Sequence, residues 1–159
     1  MSKQSSQNRS LCDSIINESV ICHMACSMDD HPYVVPISFG YDGSYLYFHS
    51  GLKGKKTSIL KANPSVCLAF DTGIELIKSP ENPCSWDFHF SSVVAEGYAE
   101  EIIQLSDKIY ALNKIMEHYS GQTWDFPENK LRQTRIWKIR LDSVSAKISP
   151  GVLDISNQD

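Results

Sequence analysis

Residues 33–41 alternate without a break. Tyr33, Val35, Ile37, Phe39 and Tyr41 share one face of an extended chain, and Val34, Pro36, Ser38 and Gly40 share the other. Asp42-Gly43 follows, a strong hairpin turn, and residues 45–50 (YLYFHS) read as the returning strand. A hairpin of this quality at the centre of the chain commits it to antiparallel β-structure.

The flanking segments extend the pattern. Residues 20–27 read as a strand, separated from the hairpin by the turn signal Asp29-Asp30-His31-Pro32. Residues 65–77 are strand-like, residues 78–84 form a loop with two prolines, and residues 85–101 form a long strand led by Trp86, Phe88 and Phe90. Residues 134–148 supply a last strand. Between them lie a short helix at 11–19 and a helix from about Lys55 that stops before Asn63-Pro64. A longer helix at 105–119 carries Leu105, Ile109, Leu112, Ile115, Met116 and Tyr119 at helical spacing. Residues 121–129 read as a loop. The expected architecture is mainly β with inserted helices: six antiparallel strands in meander order, forming a small closed barrel. Residues 11–150 form the single domain, residues 1–10 a disordered tail, and residues 151–159 a frayed C-terminal tail.

Charge and composition narrow the function classes. A net charge of −4 argues against nucleic-acid binding driven by bulk positive charge, so any anion site must be local. No apolar run approaches the roughly 20 residues that span a bilayer. The polar start MSKQSSQNRS lacks a signal-peptide core, and the expected location is cytoplasmic. Five cysteines, an odd number scattered over apolar segments, fit reduced thiols.

The local anion site has one clear candidate. Gly51-Leu52-Lys53-Gly54-Lys55-Lys56-Thr57 joins a strand end at His49-Ser50 to a helix start. Glycines let the backbone approach a ligand, lysines add charge, and a helix start offers unpaired N–H groups. The loop is not a P-loop, which needs four residues between its glycines where this chain has two. A solvated basic turn is the competing reading. His49 shares a strand face with Tyr45 and Tyr47, and its protonation would respond to the local charge. Pro36 interrupts a good strand, marking an edge, a bulge or a place where the backbone faces a ligand. Cys22-His23-Met24-Ala25-Cys26 invites a metal reading, but strand residues four apart are separated by roughly 13 Å, too far to share an ion held at about 2.3 Å per sulfur. No metal is expected. Trp86, His89 and Trp137 read as packing residues, and no Ser-His-Asp or Cys-His arrangement is evident.

The run HPYVVPISFGYDGSYLYFHSGLKGKKTSILKANPSVCLAF resembles the signature of the pyridoxamine 5′-phosphate oxidase-like, FMN-binding split-barrel proteins. FHS followed by the G-K-K loop is similar to the Nim group of nitroimidazole-resistance reductases. SVVAEGYAEEI and RIWKIRLDSVSAKIS resemble the family's later strands, and the resemblance covers residues 20–148. It implies a split β-barrel and a homodimer with FMN at the subunit interface. Val34, Val35, Pro36, Ile37 and Ser38 would lie along the isoalloxazine edge, mostly through backbone groups. Phe48, His49 and Ser50 would approach the ribityl chain and ring. Lys55 and Lys56 would hold the phosphate, helped by Lys53 and Thr57, and His49 would deliver a proton. The implied activity is FMN-dependent reduction of a small nitroaromatic of 5-nitroimidazole type, drawing on a nicotinamide electron donor. The alternatives are a flavin- or haem-binding protein without turnover, and pyridoxamine 5′-phosphate oxidation. The pyridoxamine oxidases carry a C-terminal arginine–histidine motif that SPGVLDISNQD does not contain.

Overall fold

The computed structural model describes residues 4–149, with side chains from Gln7 onward. In chain order the elements are β1 (Gln4–Ser6), α1 (Arg9–Glu18), β2 (Cys22–Met28), β3 (His31–Ile37), β4 (Gly40–Tyr41) and β5 (Tyr45–Gly51). They continue with α2 (Lys55–Ala62), β6 (Ser65–Ile77), β7 (Asp87–Ile102), α3 (Leu105–Ser120), α4 (Glu128–Arg132) and β8 (Thr134–Ser149). A single 3-10 turn at Pro83–Ser85 links β6 to β7.

The alternation read at 33–41 holds: Ile37, Phe39 and Tyr41 are buried, while Val34 and Pro36 are exposed. The strand itself breaks in two at Ser38-Phe39, and that break shapes the sheet. Its hydrogen-bonded order is β3-β2-β6-β7-β8-β5-β4, all antiparallel, with β1 added beside β8. The two ends of this path, β3 and β4, are joined by only two residues of chain. The sheet therefore curls until its edges meet through a covalent link, with no ladder closing the gap.

This corrects the expected closed, six-stranded meander. Among the described residues there are eight strands, and the path is open. One strand was gained at the break and another at Gln4–Ser6. The order is not a meander either, because β5 pairs with β8 and β2 with β6. Within the tail expected over 1–10, residues 4–6 and 9–10 fall in regular elements. Gln4–Ser6 pairs with the end of β8, and α1 starts at Arg9 behind the Asn8 side chain, which accepts a bond from Leu11 N. Polar composition suggested a tail; the free edge of β8 offers a partner that composition does not reveal. Residues 1–3 and the expected tail at 151–159 lie outside the described residues. The loop expected at 121–129 gives way to α4 from Glu128, anchored by buried Leu131.

The main core fills the curl: Phe39, Phe48, Phe70, Met24, Leu68 and the α1 residue Ile16 are almost wholly buried. A second cluster lies outside the sheet, where Ala111 and Ile115 of α3 pack on Tyr47, Ile102 and Ile136. β5 thus buries Leu46 and Phe48 on one face and Tyr47 on the other. Among the described residues no helix is long and apolar enough to cross a membrane.

α3 also secures the break between β3 and β4. The Tyr119 hydroxyl donates to Val20 O at 2.7 Å and accepts from Phe39 N at 3.2 Å. His118 Nε2 lies 2.8 Å from Ser19 O. Gly40 sits against the helix backbone so closely that a Cβ there would lie 2.3 Å from the Lys114 carbonyl carbon and 2.4 Å from Ile115 N. Gly40→Ala must therefore push α3 away. Chemical denaturation should show a loss of about 3 kcal/mol, the scale of overpacking against rigid atoms. A loss below about 0.5 kcal/mol, the ordinary range for a surface change, would mean that α3 does not dock here.

Candidate functional site

The lysine loop is built by three elements. β5 ends at Gly51, Leu52–Gly54 make the turn, and α2 begins at Lys55. Gly54 precedes the helix at φ 138°, a conformation that side-chain-bearing residues rarely adopt. It provides no side-chain cap, so the first N–H groups of α2 have no capping acceptor there. Asn63 closes the helix, its backbone N–H donating to Ile59 O and its side chain to Ser27 O.

Two of the three loop lysines stand over aromatic rings at this start. Lys55 Nζ stands 4.8 Å from the centroid of Tyr33, and Lys56 Nζ stands 5.5 Å from the centroid of Phe48. Among the described residues no carboxylate pairs with Lys53, Lys55 or Lys56. Lys56 is half-buried, and that burial pulls its ammonium pKa below the ordinary value. His49 feels the same surroundings: partial burial, and then the Lys56 ammonium, lower its imidazole pKa. Positive charge held without a counter-ion is an electrostatic cost that a bound anion relieves.

The loop is tied down from beneath. Trp137 Nε1 donates to Ser50 Oγ at 2.9 Å, Ser50 Oγ lies 3.2 Å from Thr57 Oγ1, and Thr57 Oγ1 donates to Gly51 O at 3.3 Å. Arg135 Nε donates to Leu52 O at 3.0 Å while its guanidinium pairs with Glu101.

The residues singled out in the sequence fall into three groups. Lys55, Lys56, His49 and the loop itself come together at the start of α2. Phe48, Ser50 and Thr57 lie beneath them with buried side chains, on the opposite face of β5 from His49 in the case of Phe48 and Ser50. Residues 34–37 run along β3 and Ser38 follows its end. Among the described residues β3 pairs only with β2 and so leaves one backbone edge open, with Pro36 on that edge strand. Tyr33 under Lys55 marks the lysine end of β3, and Ile37 lies four residues on, roughly 13 Å along an extended strand. A ligand touching both must place its anion at one end and its body along the strand.

Sequence reasoning missed Tyr33, Cys26 and Arg135 as neighbours of this site, and it read Trp137 only as packing. Nothing local marks them: each arrives by strand pairing or helix docking, Trp137 opposite Phe48 and Arg135 opposite Ser50. Cys22 and Cys26 point inward and His23 outward, as their alternation requires, and among the described residues no group of His, Cys, Asp and Glu could hold a metal ion. A surface groove of about 550 Å³ crosses the outer sheet at Ala25, Cys67, Glu96 and Tyr98 and shares only Cys26 with the lysine cluster.

Comparison with known proteins gives this arrangement a context. An uncharacterized protein of Rhizobium meliloti strain 1021, RA0666, is 34% identical over 61 residues; that match spans 38% of this chain and 40% of that protein. The crystal structure of a candidate 5-nitroimidazole antibiotic resistance protein from Bacteroides thetaiotaomicron superposes with a TM-score of 0.81 at 29% identity. It covers 93% of this chain and 89% of the other. An FAD- and haem-binding protein from Mycobacterium smegmatis shares the fold, with a TM-score of 0.79 at 18% identity over 92% of this chain and 74% of its own. The family model for pyridoxamine 5′-phosphate oxidase matches residues 8–148. That match runs from the start of α1 to the end of β8 and takes in every strand but β1, so the chain belongs to the pyridoxamine 5′-phosphate oxidase family.

Proposed function

We propose that this chain is an FMN-dependent oxidoreductase acting on small nitroaromatic compounds of 5-nitroimidazole type, with a nicotinamide electron donor. The observation that carries the reading is the set of unneutralised lysines at the uncapped start of α2, at one end of the open edge of β3. These groups fit a phosphate: ammonium donors, free N–H groups and a glycine that lets the backbone approach. The substrate class follows the Bacteroides thetaiotaomicron neighbour.

Lys55 and Lys56 hold the phosphate, with Lys53 at the rim of the seat and the buried Thr57 helping from beneath it. The edge of β3 from Val35 to Ile37, with Ser38 just beyond it, offers backbone N–H and C=O groups to a flat ring, and Pro36 removes one donor from the strand. Phe48 and Ser50 shape the floor. His49, at the end of β5 beside Lys56, is the candidate proton donor: burial and then the Lys56 ammonium lower its pKa, and a bound anion offsets the second of these. When bound, FMN supplies the redox chemistry, and the protein supplies binding, orientation and electrostatics.

A second copy of the chain completes the assembly. Val34, Val94 and Tyr98 are 61%, 46% and 63% exposed on the outer face of β3, β2, β6 and β7, with the small residues Ala25 and Cys67 between them. This largely apolar face, grooved and carrying the exposed Glu96 between Val94 and Tyr98, is suited to self-association. A second reading, flavin or haem binding without turnover, draws on the Mycobacterium smegmatis neighbour.

The purified protein should be yellow and should reduce a 5-nitroimidazole anaerobically with a nicotinamide donor. A colourless protein that takes up no FMN would sink the reading. A loaded protein that turns over neither a nitroimidazole nor pyridoxamine 5′-phosphate would favour binding alone, and a haem spectrum would favour haem. Lys55→Ala with Lys56→Ala should weaken FMN about a hundredfold, from two charge-assisted bonds of roughly 1.5 kcal/mol each; unchanged affinity would place the phosphate elsewhere. Titration followed by NMR should put the His49 pKa of the free protein below about 6.5 and move it upward on saturation with inorganic phosphate. A value unmoved by phosphate would separate His49 from the seat. Sedimentation should give about twice the 17.9 kDa chain mass, and Val94→Arg should shift it toward monomer; a wild-type monomer at micromolar concentration would overturn the dimer.

A further inference from the structure

We infer that Trp137 is the positioning residue for the phosphate seat, setting the protein's preference for a phosphorylated flavin while touching no part of it. The inference rests on the FMN reading above. Trp137 lies on β8, 3% exposed, directly opposite Phe48 in the β5–β8 register. It reaches the seat by two routes. Its ring stacks parallel to Phe48, with centroids 6.2 Å apart and planes 8° apart, and Phe48 in turn sits below Lys56 Nζ at 5.5 Å. Its N–H enters the buried hydroxyl chain through Ser50 to Thr57.

The direction of that chain matters. An indole N–H can only donate, so Ser50 Oγ must accept there and turn its own proton toward Thr57 Oγ1 or Gly51 O, 3.2 Å away in either case. Thr57 also donates to Gly51 O. Ser50 ends the strand side of the loop and Thr57 stands in the first turn of α2, so residues 51–56, with all three lysines, are clamped between two hydroxyls. One donor on a neighbouring strand orients both. Without it the hydroxyls can rotate, the clamp loosens, and ordering the loop becomes a cost met on binding. A tryptophan that merely filled space would show its loss in stability and in all flavin affinities alike.

FMN and riboflavin differ only by the phosphate, so the ratio of their dissociation constants isolates the seat. Fluorescence-quenching titrations of the full-length protein give both constants. Trp137→Phe keeps an aromatic ring beside Phe48 and removes the N–H; the FMN-over-riboflavin preference should fall about tenfold, the equivalent of one net hydrogen bond. Thr57→Val, which cuts the other end of the clamp, should lower the ratio similarly, and the two together should fall short of the product of the single effects, as members of one network do. Thr57→Val also serves as the test if Trp137→Phe fails to fold. A wild-type protein that binds riboflavin as tightly as FMN would remove the phosphate seat itself, and this inference with it. A wild-type preference for FMN that survives intact in both variants would overturn the positioning role and leave the seat standing. Equal loss of FMN and riboflavin would make Trp137 a packing residue.

Discussion

The pairing of β5 with β8 in the register Phe48↔Trp137 is the constraint on which the rest depends. β5 could have joined β6, its successor among the strands. By joining β8 it leaves β2 to pair with β6, and the sheet has to curl to bring its two ends within two residues of each other. The same pairing brings Trp137 and Arg135 beneath the turn after β5, so one ladder sets both the shape of the sheet and the footing of the lysine loop. Loss of that register by one residue would exchange the faces of β5, exposing Phe48 and burying His49.

Charge is arranged to single out that loop. Several basic residues elsewhere are matched, Arg135 with Glu101, Lys138 with Glu100, Lys114 with Glu117 and Arg132 with Glu128. Among the described residues the lysines outside the loop that lack a carboxylate partner, such as Lys61 and Lys78, are scattered rather than clustered. In a chain of net charge −4, leaving Lys53, Lys55 and Lys56 without carboxylate partners concentrates positive potential at one point. Burial lowers the pKa values of both Lys56 and His49, and the Lys56 ammonium lowers that of His49 further. The two faces of β5 divide the labour: His49 looks outward beyond the part of the strand that α3 covers, while Phe48 and Ser50 carry the loop from within.

Much of this was legible in the chain because it is local. Alternation, turn residues and helical spacing each depend on neighbours within a few positions, so the hairpin at Asp42-Gly43, the start of α2 near Lys55 and the long helix at 105–119 were readable directly. The lysine loop was readable for the same reason, since glycine freedom, lysine charge and a helix start are contiguous. The failures came from distant partners. Gln4–Ser6 becomes a strand only because β8 has a free edge for it, and residues 33–41 break at Ser38-Phe39 where α3 meets Gly40.

By itself, then, the sequence determined most of the elements, the inward and outward faces of its strands, and the basic loop between β5 and α2. Only the tertiary structure decided that the sheet stays open, that β5 lies against β8, and that Trp137 stands under the lysines. The physical reason is that local order follows from sterics and solvation within a few residues, whereas strand partners are chosen by burial across the whole chain, where Phe48 and Trp137, far apart in sequence, share one core.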